Sequence, residues 1–153
     1  MAVQHGAGLG HDRMSLSADF GIATPVGALS PPTTGASVLL EAAGGAAMIE
    51  AHLPPGRHWT SRRGRWVYRD ASGSIAGVRR LEVVNVTRGG VPEVSVTLTA
   101  RKGSYPVTFA ELPLTLTIVL GDEASGLAGA CGRHAFDAAT CNSIRGGARV
   151  ACR

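Results

Sequence analysis

The sequence predicts an all-β protein: a single two-layer antiparallel β-sandwich of about eight strands with a short C-terminal cysteine-bearing hairpin. Three observations predict it. Apolar residues recur every second position, threonine and serine fill the alternate positions, and glycine pairs separate the runs. A period of two places successive side chains on opposite faces of a strand, so one face is buried and the other wet. Threonine on the wet face is a strand preference, because a β-branched side chain suits a pleated surface.

Residues 1–11 carry no periodic pattern and are expected to be a flexible arm. The first strand follows, with Met14, Leu16, Ala18, Phe20 and Ile22 alternating with Ser15, Ser17, Asp19 and Gly21. Residues 24–35 are a Pro/Gly/Thr connection. A hairpin then centres on Gly44-Gly45, since a two-residue hairpin turn needs positive φ, which glycine adopts without steric cost. Its register sets Leu40 opposite Ile49 and Val38 opposite Ala51, with Glu41 and Glu50 on the other face. A helix over residues 38–50 is rejected, because the glycine pair costs about 2 kcal/mol in a helix interior.

Further strands are expected at residues 66–69 and 78–86, joined by the turn Asp70-Ala71-Ser72-Gly73-Ser74. Gly89-Gly90 centres a second hairpin that sets Val83 opposite Val96 and Leu81 opposite Leu98. Pro92 then falls opposite Thr87, where its missing N–H costs little. Leu114, Leu116, Ile118 and Leu120 form another strand. The only helical turn expected lies near residues 135–140. Residues 12–136 thus read as the sandwich domain and residues 137–153 as a separate cysteine-bearing extension.

Composition narrows the function classes. The 153 residues are 44% hydrophobic, and no apolar run approaches the roughly 20 residues of a membrane helix, so no membrane span is expected. Net charge is +4, and Lys102 is the only lysine among 15 basic residues. Met1 to Gly6 has neither the charged start nor the apolar stretch of an export signal. The cysteines point the other way. Cys131, Cys141 and Cys152 cluster near the C-terminus, as in a stapled extension of an extracytoplasmic or secreted protein.

The hairpin centred on Gly146-Gly147 places Cys141 directly opposite Cys152, with Cα atoms about 5.5 Å apart at a hydrogen-bonded site. That disulfide is expected, with Cys131–Cys141 as the rival pairing. Zinc held by Cys131, His134, Cys141 and Cys152 is a weaker alternative, since structural zinc favours paired short spacings. No metal and no cofactor are expected.

The order of several short motifs resembles a known family. Pro31-Pro32-Thr33-Thr34-Gly35-Ala36 is followed by Leu53-Pro54-Pro55-Gly56 and Trp59. Next come Trp66-Val67-Tyr68-Arg69-Asp70 with Gly73 and Gly77, then Leu112-Pro113-Leu114, Gly121, Cys131 and Phe136. Together these resemble an uncharacterised β-rich module of large predicted-secreted bacterial proteins, often found in tandem or beside cysteine-rich repeats. The resemblance covers roughly residues 12–136. It implies an extracytoplasmic all-β domain with no known enzyme activity.

The densest functional stretch is residues 57–68. Trp59, Arg62, Arg63, Arg65, Trp66 and Tyr68 are its candidate ligand-binding residues. Arginines interleaved with aromatics can grip phosphates and stack bases, or stack on sugars. The competing reading puts Trp66 and Tyr68 in the core and leaves the arginines as a solvated edge. No catalytic residues are expected: no Gly-x-Ser-x-Gly elbow, calcium loop or facing carboxylate pair is present. The expected function is a non-catalytic extracytoplasmic module, structural, adhesive or spacer-like, whose partners are neighbouring modules, other protein chains or a polysaccharide. A carbohydrate-binding module using exposed aromatics is the alternative. A basic nucleic-acid-binding domain ranks below both.

Overall fold

The alternating runs form two antiparallel sheets packed face to face in a sandwich. The computed structural model describes residues 1–8, 10–144 and 146–152. Among the described residues there are twelve strands, in chain order β1 (Ala2–Gln4), β2 (Asp12–Gly21), β3 (Ala36–Ala42), β4 (Ala47–Leu53), β5 (Trp59–Arg62), β6 (Arg65–Arg69), β7 (Val78–Asn85), β8 (Glu93–Gly103), β9 (Leu114–Val119), β10 (Cys131–Phe136), β11 (Cys141–Ile144) and β12 (Arg149–Cys152). The large sheet has the order β11-β12-β1-β2-β8-β7-β6-β5 and the small sheet β10-β9-β3-β4. Two short helices, α1 (Pro31–Thr34) and α2 (Glu123–Leu127), lie in connections, and a 3-10 turn spans Ala138–Thr140.

The inward residues of both sheets make one apolar core. Leu16, Phe20, Leu81, Val83 and Leu98 from the large sheet meet Val38, Leu40, Leu114, Leu116 and Ile118 from the small one. The sheets meet in close contact where β10 packs on β2. A Cβ on Gly132 would lie 2.7 Å from the Phe20 Cβ, so only glycine admits the Phe20 side chain there. His134 completes the contact, edge-on to both Phe20 and Phe136.

The two apolar registers read from the sequence are present: Leu40 pairs Ile49, Val38 pairs Ala51, Val83 pairs Val96 and Leu81 pairs Leu98. The first turn differs from the expected geometry. Gly45 donates to the Ala42 carbonyl and Ala42 to the Ala46 carbonyl, so the loop is three residues long and only Gly45 has positive φ (79°). The register between Leu40 and Glu41 then shifts at a bulge, which leaves Met48 and Ile49 buried side by side. The longer loop and the bulge offset each other, and the pairing beyond them is the expected one. At the second hairpin both Gly89 and Gly90 have positive φ, as a two-residue turn requires.

Two boundaries are corrected. Residues 1–11 are not a structureless arm, because Ala2–Gln4 is a strand between β2 and β12 and Val3 is fully buried. The hairpin β11–β12 is not a separate extension, because β12 continues the large sheet through β1.

Asp12 anchors this added edge. Its carboxylate accepts the N–H groups of Gly6 (3.0 Å) and Tyr105 (2.9 Å) and pairs with the His5 ring (3.3 Å). Burial works to raise the Asp12 carboxyl, but those hydrogen bonds and His5 outweigh it and hold the group below its ordinary value.

Cys141 and Cys152 form the expected disulfide. Their Cα atoms are 3.9 Å apart, closer than expected, and the site is not a hydrogen-bonded one. Cys152 instead donates its N–H to the Met1 carbonyl (2.8 Å) and accepts from the Met1 amine (2.9 Å). Its backbone groups therefore point towards β1, which leaves the Cys141 side as the narrow, non-hydrogen-bonded position. Cys131 is free and exposed, so the pairing Cys131–Cys141 is not formed.

Candidate binding face

The aromatic candidates point into the core rather than towards a ligand. Trp59 is 6% exposed, Trp66 7% and Tyr68 1%. Trp59 pairs across the strands with Tyr68, their rings 5.4 Å apart and edge-on, and its indole N–H donates to the Pro54 carbonyl at 2.9 Å. This corrects the expectation of exposed aromatics at residues 57–68: no aromatic platform is available there for sugars or bases. Arg62 and Arg63 are exposed, with Arg63 (φ 48°) and Gly64 (φ 74°) making a two-residue turn between β5 and β6. Arg65 lies on the outer face and is paired with Glu82.

The zinc alternative fails on its donors, because Cys141 and Cys152 are oxidised to one another. Among the described residues no cluster of three metal-ligating side chains is present. Asp122 is held below its ordinary value by hydrogen bonds from the Ser125 hydroxyl and N–H, and it caps α2. Asp70 is held lower still, first by the Ser72 and Ser74 hydroxyls, and orders the β6–β7 turn. Both carboxylates have structural work.

The outer face of the large sheet is where unpartnered charge collects. Its side chains are those that alternate with the core, and strand register sorts them into rows. One row runs Arg149, Gln4, Arg13, Arg101 across β12, β1, β2 and β8. The next runs Ala151, Ala2, Ser15, Thr99, Arg80, Arg69 from β12 to β6. A third holds Ser17, Thr97, Glu82 and Val67. Glu82 takes both Arg80 and Arg65, so these two arginines of β6 and β7 share one carboxylate.

The first row holds no carboxylate. Among the described residues Arg13, Arg101 and Arg149 make no ion pair, and all three are exposed. They line one shallow depression of about 370 Å³ together with Gln4, Ser15 and Thr99. Arg13 and Arg101 are direct register partners. Like charges directly opposite one another destabilise a sheet, so this pairing opposes the fold and suits an anion lying over it. The β-bulge at this point, with Lys102 at φ 61°, twists the end of β8 where Arg101 projects.

A second cluster lies on the outer face of the small sheet. Ser37 and His52 are register partners, and the serine hydroxyl is 2.9 Å from His52 Nδ1. His52 Nε2 is 3.1 Å from the Glu50 carboxylate. With the ring proton on Nε2, both contacts are satisfied by a neutral imidazole. The cluster borders a cleft of about 540 Å³ lined by Leu53, Pro54, Pro55, Val119 and Asp122. Its form is that of a proton relay, but the side chains of His52 and Glu50 are 73% and 59% exposed. In water a carboxylate gives a ring little orientation or charge stabilisation.

Sequence reasoning missed both clusters. The Gly44-Gly45 register already set Ser37 opposite His52, so that pair was readable. The arginine row was not, because Arg149 and Gln4 sit in elements read as an extension and an arm. Comparison with known proteins returns no matching family model, no matching curated protein and no matching solved structure.

Proposed function

We propose that the protein is a non-catalytic, extracytoplasmic adhesive module that contacts its partner through the outer face of the large sheet. The observation that carries this reading is the uncompensated arginine row beside a flat threonine- and serine-rich surface. A disulfide between Cys141 and Cys152 suits an oxidising compartment. The exposed Ser37–His52–Glu50 trio reads as polar pairing across two strands rather than as catalytic machinery.

A bulky label tests the reading. In a Cys131→Ser background, a polymer-maleimide on Ser17→Cys, at the centre of the face, abolishes adhesion to extracellular polymer from the producing cells. The same label on Leu127→Cys, in α2, leaves adhesion unchanged. Adhesion that survives the Ser17 label overturns the reading. So does covalent capture of Ser37 by a fluorophosphonate probe.

A further inference from the structure

The arginine row is the feature from which a ligand class follows. It crosses four neighbouring strands, so Arg149 and Arg101 stand about 14 Å apart at the backbone, given the usual strand spacing. The three arginine backbones are therefore spread along a line across the sheet, which suits several anionic groups in a row better than a single small anion. Between and beside them stand uncharged hydrogen-bonding groups, Gln4, Ser15 and Thr99. A matching ligand is extended, carries anionic groups at intervals, and offers hydroxyls between them.

Resting on the adhesive reading above, we infer that Arg13, Arg101 and Arg149 form the binding site for an acidic polysaccharide, one bearing carboxylate or sulfate groups. Guanidinium forks match both anions with paired hydrogen bonds. Sugar hydroxyls answer Gln4, Ser15 and Thr99. Nucleic acid fits this face less well. Single strands are held by aromatic side chains on which bases stack; Trp59, Trp66, Tyr68, Phe20, Tyr105 and Phe136 are buried, and the exposed Phe109 is not among the residues lining the arginine depression.

Titration calorimetry on the full, oxidised chain tests the assignment. The probes are polygalacturonate, dextran sulfate, neutral dextran and a single-stranded oligothymidine. Binding to at least one acidic polymer is expected, with no heat from neutral dextran. Polygalacturonate against dextran sulfate separates a carboxylate ligand from a sulfate one. The variant R13S/R101S/R149S loses affinity about tenfold or more, and the charge-matched R57S/R88S/R133S about twofold or less, with the wild-type complex weakening steeply as salt rises. Far-ultraviolet circular dichroism and unfolding midpoints establish that both variants fold. Equal losses in the two variants overturn the site in favour of net charge. Tighter binding of oligothymidine than of either acidic polymer also overturns it, as does silence with both polymers. If the polymers fail while the Ser17 label still blocks adhesion, the ligand class is wrong and the adhesive face stands.

Discussion

Cys141 faces Cys152 across β11 and β12, while the backbone of Cys152 turns away from that partner to bond Met1, the residue before β1. The disulfide thus ties down a four-residue edge strand, β11, that contributes few core side chains of its own: only Cys141 is buried in it.

Removing the bridge is expected to weaken the whole large sheet at that edge. Cys141→Ser with Cys152→Ser costs about 2 to 3 kcal/mol on the loop-entropy model for a short closed loop. Chemical denaturation with and without reductant measures this. Thiol titration of the native oxidised protein returns one reactive group, Cys131. Three reactive thiols would contradict the pairing.

The two glycines of the first hairpin are expected to behave differently, although they are adjacent in sequence. Gly45 has positive φ, so Gly45→Ala costs about 1 kcal/mol. Gly44 lies outside the left-handed region and has open space at its Cβ position, so Gly44→Ala is neutral or stabilising by about 0.5 kcal/mol. Thermal denaturation of the two single variants decides between this turn and a two-residue one.

The fold was legible where burial leaves a period-two trace over several residues, as in β2, β8 and β9. Short strands leave none. Ala2–Gln4 has one buried position, Val3, and no run in which to alternate. Cys131–Phe136 hides its inward side in Gly132 and His134, a residue without a side chain and one that reads as polar. The candidate face was legible only in parts. Ser15 and Thr99 were already on polar positions of alternating runs, while Arg13 and Arg101 fell one residue beyond the expected ends of those runs. What joined them to Arg149 was strand order, a long-range property with no local signature.

Burial of the aromatics carries its own prediction. Trp66→Ala removes an indole from the inner face, next to Val83, and costs about 3 to 5 kcal/mol. Both tryptophans are shielded from a soluble quencher, and their emission does not change when neutral sugars are added. A sugar-dependent emission shift would place an aromatic in a binding site after all.

Acid is expected to loosen the N-terminal edge. Asp12 is held below its ordinary value in the folded state. Its contribution is present above the unfolded value, near 4, and is lost as pH falls through the folded value. Asp12→Ala removes the acceptor for Gly6 and Tyr105 and costs about 2 kcal/mol at neutral pH. Unfolding free energies between pH 7 and pH 3 then fall less steeply in the variant than in the wild type. Equal slopes would show that Asp12 does not carry the acid sensitivity.

The backbone bonds between Met1 and Cys152 join residues 151 positions apart. The hairpins on either side are local: β1 returns on β2, and β11 returns on β12. The seam between them closes a very long loop, and ordering so long a loop must precede any gain from the contact. Folding therefore has a natural last step. Both ends of the chain can be in place as finished hairpins, with the arginine row still in two halves, Arg149 on one and Arg13 on the other. The row becomes a single surface only when the two halves dock. A kinetic probe at that seam would report the appearance of the binding face as well as the completion of the sheet.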